Sequence, residues 1–381
     1  MRILVDASAA FDQQAGIGRY ARNVLSQAAL HHPTAQWTML RFPERLGAPP
    51  FPFDTNGAWL SGQTRRRNIP ITRRWADQIF FRARVPLDVR WIAGRTDVIY
   101  SPDFTVPPAG RTARVVTIHD LAFLTHPQWA PLALRRFLGR VVPQQVRQAA
   151  AVAVVSEATR DDVLSVLEIE PDRVHLVRNG VEDRFFASTP LSDEERRALR
   201  IPSSYLLMVG TLEPRKNHLN VFQALKHLPP SVRMPLVLAG KRGWDDEPIL
   251  AGAAPLFDAE RVIWLDYVPD DQLPALYAGA AAVVYPSWTE GFGLPVLEGL
   301  ASGVPVVTSR APALQEVGGN QVVYAEAASP ESIAAAIVTA LESDDEKRRA
   351  QRQLHARSFS WQESGQQLAN LLRTVVEMDV R

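Results

Sequence analysis

Two carboxylates eight positions apart, Glu290 and Glu298, bracket the stretch E-G-F-G-L-P-V-L-E. The apolar run 281–285 ahead of it reads as a buried strand, and the residues from Leu294 onward read as a helix. Gly291 and Gly293 let the backbone approach a ligand closely, and free N–H groups at a helix start attract phosphate. On this layout Glu290 lies in the loop above the strand end. Glu298 lies about one turn into the helix, within reach of a ribose. A second element, G-T-L-E-P-R-K-N at 210–217, follows directly on the apolar run 206–209. Its Arg215 and Lys216 stand at the carboxyl end of a strand, where parallel α/β sheets bind ligands. A guanidinium offers a planar fork for phosphate oxygens and an ammonium a compact charge, so the pair is a candidate diphosphate clamp.

Two further segments carry candidate groups. T-I-H-D at 117–120 places His119 and Asp120 after a strand, where an imidazole can act as hydrogen-bond partner, base or metal ligand. The nearest second histidine, His126, follows across an irregular loop, so the metal reading is disfavoured. A-G-I-G-R-Y at 15–20 opens an amphipathic helix after the first strand, but Gly16 and Gly18 lack the third glycine of a dinucleotide fingerprint. That disfavours a dehydrogenase. P-loop, H-E-x-x-H and G-x-S-x-G motifs are absent, and so is a D-x-D aspartate pair at a strand end to hold magnesium or manganese.

The elements that must position these residues are short apolar runs alternating with helix-like stretches. Residues 3–5, 98–100, 115–118 and 151–155 read as buried strands in the first half. Residues 205–209, 235–239, 262–265, 281–285 and 305–308 read likewise in the second. Uninterrupted Val/Ile/Leu/Ala runs fit parallel strands covered on both faces, and the alternation predicts two doubly wound α/β domains. A chain of 381 residues is past the ~250–300 at which one core stops growing. The charged stretch within 182–203 is the expected boundary. The tail, 361–376, carries an amphipathic stripe of Leu368, Leu371, Leu372, Val375 and Val376.

Composition narrows the function classes. Hydrophobic residues at 46% and charged residues at 22% exclude a mostly disordered chain, and a net charge of +1 supplies no global field for nucleic acid. The absence of cysteine removes disulfides, thiolate nucleophiles and Cys-ligated zinc. The start M-R-I-L-V-D lacks a signal-peptide core, and the longest apolar runs fall short of the ~20 residues that span a bilayer. The expectation is a soluble protein or one resting on a membrane surface. The segment Gln63–Arg95 bears on the second: nine arginines (65, 66, 67, 73, 74, 82, 84, 90, 95) are interleaved with Trp75, Phe80, Phe81 and Trp91. It reads either as a solvated helix face with core aromatics or as a patch meeting anionic lipid or an anionic acceptor.

Taken together, these motifs resemble the retaining nucleotide-sugar glycosyltransferases of family four. The resemblance runs nearly end to end: G-I-G-R-Y, I-H-D-L-A-F, V-R-N-G-V-E, V-G-T-L-E-P-R-K-N, E-G-F-G-L-P-V-L-E, A-S-G-V-P-V-V and F-S-W at 359–361. G-I-G-R-Y with H-D-L-x-F looks like the bacterial mannosyltransferases of O-antigen and related polysaccharide assembly. The resemblance implies the α/β GT-B fold: two Rossmann-like doubly wound domains facing a central cleft, with a C-terminal helix returning to the first. The expected domains are 1–183 on the acceptor side, 184–360 binding the nucleotide sugar, and the helix 361–381. It also implies roles. Arg215 and Lys216 hold the donor diphosphate; Phe292, Gly293 and Leu294 present backbone N–H groups to sugar and phosphate. Glu290 bonds hydroxyls of the transferred sugar and Glu298 the ribose. Gly16 and Gly18 close over the diphosphate, His119 faces the sugar near the reacting carbon, and Tyr267 and Val268 lie where the base docks. Asp103, Phe104 and Asp120 are acceptor-side residues.

The chemistry is consistent with that division, because a breaking glycosyl–phosphate bond puts negative charge on the departing diphosphate, which two cations and a helix start can neutralise. The expectation is therefore a metal-independent enzyme without a cofactor. It moves a hexose, mannose from GDP-mannose first, onto a glycan or lipid-linked acceptor by same-face attack. It would work in the cytoplasm, in peripheral contact with the inner face of the cytoplasmic membrane, and without nucleic acid. UDP-glucose, UDP-N-acetylglucosamine and dTDP-rhamnose stay open as donors. An epimerase, a glycogen- or sucrose-type synthase and a catalytically silent binding protein are the rival readings.

Overall fold

The computed structural model describes residues 1–47, 64–83, 85 and 87–379. They form two compact units, Met1–Gly180 with Ser360–Arg381, and Val181–Phe359. In the first unit the strands are β1 (Arg2–Asp6), β2 (Gln36–Arg41), β3 (Thr64–Asn68), β4 (Val98–Ser101), β5 (Ala113–Ile118), β6 (Ala151–Val154) and β7 (Val174–Leu176). They pair in the order β3-β2-β1-β4-β5-β6-β7, every neighbour parallel. In the second unit, β8 (Leu206–Val209), β9 (Leu236–Ala239), β10 (Val262–Trp264), β11 (Ala282–Tyr285), β12 (Val306–Ser309) and β13 (Val323–Ala325) run in the order β10-β9-β8-β11-β12-β13, again parallel.

Central strands such as β6 and β11 are buried along their whole length, which is why they carry unbroken apolar runs. In each sheet the order reverses once, between β1 and β4 and between β8 and β11. Connections leave such a switch point toward opposite faces, so a crevice opens outside the carboxyl ends of those two strands.

The C-terminal helix, Trp361–Asp379, belongs to the first unit and packs along the helix Gly16–His31. Leu368, Leu371, Leu372 and Val375 are buried as the stripe predicts, and His32 Nε2 meets the Ala369 carbonyl at 2.7 Å. Gly365 is required by the closeness of the two helices, since a Cβ there would lie 2.2 Å from Gln27.

Four strands escape the apolar-run criterion, the first of them β7, whose three residues are interrupted by His175. β13 spans only three residues, and β2 mixes Gln36, Thr38 and Arg41 with its buried Trp37, Met39 and Leu40. β3, T-R-R-R-N, contains no apolar residue at all. It is the sheet edge, and charged side chains there discourage pairing with another chain. The arginine-rich segment is therefore not one helix face: Arg65, Arg66 and Arg67 are exposed on this edge strand, while Arg73, Arg74, Arg82 and Arg90 lie on short helical turns. Its aromatics divide. Phe80 and Phe81 pack into the core, while Trp75 is 63% and Trp91 80% exposed. Arg90 pairs with Asp88. Gln63 and Arg84 lie outside the described residues.

Candidate functional site

In the second unit the sequence candidates gather at the switch point. After β8 the chain makes a tight turn at Pro214–Lys216, and Asn217 follows at φ +66°. That left-handed conformation is costly for a residue with a Cβ. It is held by Asn217 Nδ2, which donates to the carbonyls of Pro286 (3.0 Å) and Ala327 (2.7 Å). The turn thereby aims Arg215 and Lys216 at the loop 286–293 that follows β11.

There they meet Glu290. Arg215 Nη1 donates to Glu290 Oε2 at 2.9 Å and to the Thr289 carbonyl at 3.2 Å, while its Nη2 donates to Glu213 Oε1 at 2.9 Å. Lys216 Nζ donates to Glu290 Oε1 at 2.6 Å and to the Tyr285 hydroxyl, which itself donates to Glu290 Oε1 at 2.8 Å. Trp244 Nε1 completes the chain by donating to Glu213 Oε2 at 3.0 Å. Burial alone pushes the Glu290 carboxyl up, but Arg215, Lys216 and the Tyr285 hydroxyl outweigh it and bring it down to about 2. Burial pushes the Tyr285 phenol well above its usual range, so it stays a hydroxyl. His218, behind Lys216, is driven down to about 3 by burial and by the lysine charge, and is neutral.

The helix Leu294–Ala301 starts from Gly293, at φ +111°. A Cβ at Gly293 would lie 2.5 Å from Leu314, so position and conformation both demand glycine. Phe292 is buried edge-on to Phe359 at 5.9 Å, leaving its backbone as the part that can serve a ligand. Glu298, the fifth residue of this helix, is 1% exposed. In the loop after β10, Val268 is buried and Tyr267 half-open, with Lys241 Nζ over its ring at 4.3 Å. Arg242 is turned aside onto Asp246 at 2.6 Å. Of these two cations, Lys241 is the one that stands at the Tyr267 loop.

In the first unit, the residues after β1, β4 and β5 form their own group. His119 Nε2 lies 2.7 Å from the Pro102 carbonyl, and a carbonyl can only accept, so Nε2 carries the hydrogen and Nδ1 the lone pair. Its ring sits edge-on to Tyr20 (5.0 Å) and Phe104 (5.8 Å), and burial lowers its pKa against the pull of Pro102, Asp103 and Asp120. Asp103 Oδ2 accepts from Gln13 Nε2 at 3.2 Å, which joins the β1 and β4 loops. Asp120 Oδ1 accepts from the Ala122 amide at 3.0 Å and thereby starts the short helix Ala122–Thr125. Gly16 is exposed at the helix start. Gly18 is glycine for packing, since a Cβ would lie 1.8 Å from the Gln13 carbonyl.

Sequence reasoning missed Tyr285, Glu213, Trp244 and Arg73. Tyr285 is hidden as the last residue of an apolar run, and Glu213 stands unmarked inside the clamp motif. Arg73, one of nine arginines, is drawn to the first switch point, where it bonds Asp6 Oδ2 at 2.7 Å and Thr105 Oγ1 at 2.6 Å.

Two family models match the chain: Glycosyltransferase Family 4 over residues 31–185 and Glycosyl transferases group 1 over residues 192–357. The chain is 33% identical over 282 residues to O-antigen chain mannosyltransferase B of Escherichia coli, across 72% of this chain and 74% of that one. It is 30% identical to an MMP alpha-(1->4)-mannosyltransferase of Mycolicibacterium hassiacum, across 61% of this chain and 57% of that one. Sucrose-phosphate synthase from Thermosynechococcus elongatus superposes with a TM-score of 0.78 over 99% of this chain and 100% of that one. At 17% identity, that is a likeness of fold.

Proposed function

The chain belongs to the family 4 and group 1 glycosyltransferases, with the GT-B fold, and on that footing we propose that it transfers mannose from GDP-mannose to a glycan or lipid-linked acceptor in cell-surface polysaccharide synthesis. One observation carries the reading: Arg215 and Lys216, from the loop after β8, meet Glu290, from the loop after β11, at the switch point of the second sheet. Two cations at a strand end can bind a diphosphate and hold its charge as it leaves.

In the proposed reaction the bond between the anomeric carbon and the phosphate oxygen breaks, and the electron pair goes to the nucleoside diphosphate. Arg215 and Lys216 neutralise that charge, which makes the step independent of a metal ion. The acceptor hydroxyl attacks the anomeric carbon on the face the phosphate leaves and gives its proton to the departing phosphate oxygen, so the configuration is retained. Glu290 bonds sugar hydroxyls and Glu298 the ribose. His119, neutral and with Nδ1 as acceptor, bonds the sugar near the reacting carbon. Asp103, Phe104 and Asp120 serve the acceptor.

Guanine is supported by Lys241, whose ammonium stands at the Tyr267 loop and can donate to the O6 and N7 acceptors of that base. On the same reading the enzyme works in the cytoplasm, in peripheral contact with anionic lipid of the inner membrane face through Gln63–Arg95. Among the described residues no helix is long and apolar enough to cross a membrane. Comparing melting temperatures with GDP and UDP at equal concentration tests the donor. The larger rise is expected with GDP; a larger rise with UDP overturns the guanine assignment and the mannose assignment with it.

A further inference from the structure

Each oxygen of the Glu290 carboxylate is engaged by a different cation, Oε2 by Arg215 and Oε1 by Lys216, with the Tyr285 hydroxyl also on Oε1. With Glu213 as the second acid, the two positive and two negative charges of the cluster cancel. A diphosphate arriving at Arg215 and Lys216 thus meets cations that already carry their counter-charge. Like charges this close in a buried setting repel strongly, so diphosphate and Glu290 carboxylate cannot both keep the same bonds. Of the two acids, Glu213 is pinned from its far side by Trp244. Glu290, by contrast, is held through its carboxylate by Arg215, Lys216 and the Tyr285 hydroxyl. A diphosphate that takes the two cations therefore takes most of what holds its side chain, while the loop backbone stays tied at Pro286 and Ser287.

We propose that Glu290 is the built-in counter-anion of the diphosphate site: it competes with nucleoside diphosphate for Arg215 and Lys216, is released toward the sugar when donor binds, and returns after transfer to expel the diphosphate product. This rests on the reading of Arg215 and Lys216 as the donor clamp. Tyr285, buried at the end of β11, is the positioning residue: its hydroxyl donates to Oε1 and fixes where the carboxylate returns. With its carboxyl held near 2, Glu290 is charged throughout the working pH range and competes at all of it. The arrangement couples donor arrival to the freeing of a sugar-binding carboxylate, and product departure to its recapture.

The test is calorimetry with inorganic pyrophosphate and with GDP on the wild type, E290Q, Y285F and R215A. E290Q removes the competing charge at nearly constant shape and is expected to tighten pyrophosphate about tenfold, the factor for one charge-assisted bond no longer displaced. Y285F is expected to tighten it about threefold by loosening the carboxylate, and supplies the readout if E290Q does not fold. GDP release by stopped flow slows in the same order. R215A weakens pyrophosphate if the clamp reading is right. Unchanged or weaker binding in both E290Q and Y285F, with R215A weakened, overturns the counter-anion role and leaves the clamp standing. Pyrophosphate binding by R215A at wild-type strength overturns the clamp itself.

Discussion

Trp244 Nε1 donates to Glu213 Oε2 at 3.0 Å, while Oε1 of the same carboxylate accepts Arg215 Nη2 at 2.9 Å. The loop after β9 is thereby tied through one acid to the loop after β8, and the guanidinium has its orientation set from behind. Removing the indole donor should let Arg215 wander. We expect Trp244→Phe to lower kcat/KM about three- to tenfold, the worth of one net hydrogen bond of roughly 0.5–1.5 kcal/mol, with an unchanged melting temperature. Wild-type kcat/KM in this variant would show that the tie does not orient the clamp.

The division of labour between sugar and nucleotide separates two histidine and glutamate variants. His119→Ala should lose most transfer activity yet bind free GDP with wild-type affinity, because its assigned partner is the sugar. Glu298→Ala should weaken GDP first, through the ribose. Calorimetry with GDP decides, and equal losses in the two variants would mean that the roles are misassigned.

His218 predicts how stability depends on pH. Its folded pKa, about 3, lies below the ordinary histidine value near 6.5, so the fold favours the neutral ring. The stabilisation is complete above about pH 6.5 and is lost as pH falls toward 3. Between pH 7.5 and 5 the loss should be about 2 kcal/mol. Urea unfolding at both values should show this drop shrinking in His218→Asn; an undiminished drop would place its source elsewhere.

Membrane contact is testable because the segment leaves Arg65, Arg66 and Arg67 and two tryptophans exposed, while Arg73 and Arg90 are taken up by Asp6 and Asp88. Anionic vesicles should co-sediment the protein at low salt and release it at high salt. Replacing Arg65, Arg66 and Arg67 by Ala should weaken binding by ~1 kcal/mol per arginine near the surface. Trp75→Ala with Trp91→Ala should weaken it further by removing the apolar anchor. Binding that is absent at low salt, or untouched by both sets, would leave these residues as edge-strand and surface decoration.

What could be read from the sequence, and what could not, follows from the range of the forces involved. Strands such as β6 and β11 announce themselves because burial on both faces demands unbroken apolar runs. β3 is silent because an edge strand is held by its backbone ladder with β2, for which T-R-R-R-N is as good as any other sequence. Arg215, Lys216 and Glu290 are marked by motif and spacing. The pairing that joins them across 74 and 75 residues of chain is a property of strand order, which no local pattern contains. Arg73 makes the same point from the other side, since nothing in a run of arginines singles out the one that reaches Asp6.

In the proposed reaction Arg215 and Lys216 carry the departing diphosphate without help from a metal ion. The most direct measurement is transfer of radiolabelled mannose from GDP-mannose to a lipid-linked acceptor in saturating EDTA, by the wild type and by the Arg215→Ala/Lys216→Ala variant. The wild type should keep its full rate. The double variant should lose on the order of 100-fold or more, at roughly 1.5–3 kcal/mol for each charge-assisted bond. Because it leaves Glu213 and Glu290 buried without their counter-charges, its melting temperature should fall as well, so rates are compared below the variant's own transition. Near-wild-type transfer by the double variant, or a wild-type enzyme silenced by EDTA, would contradict it.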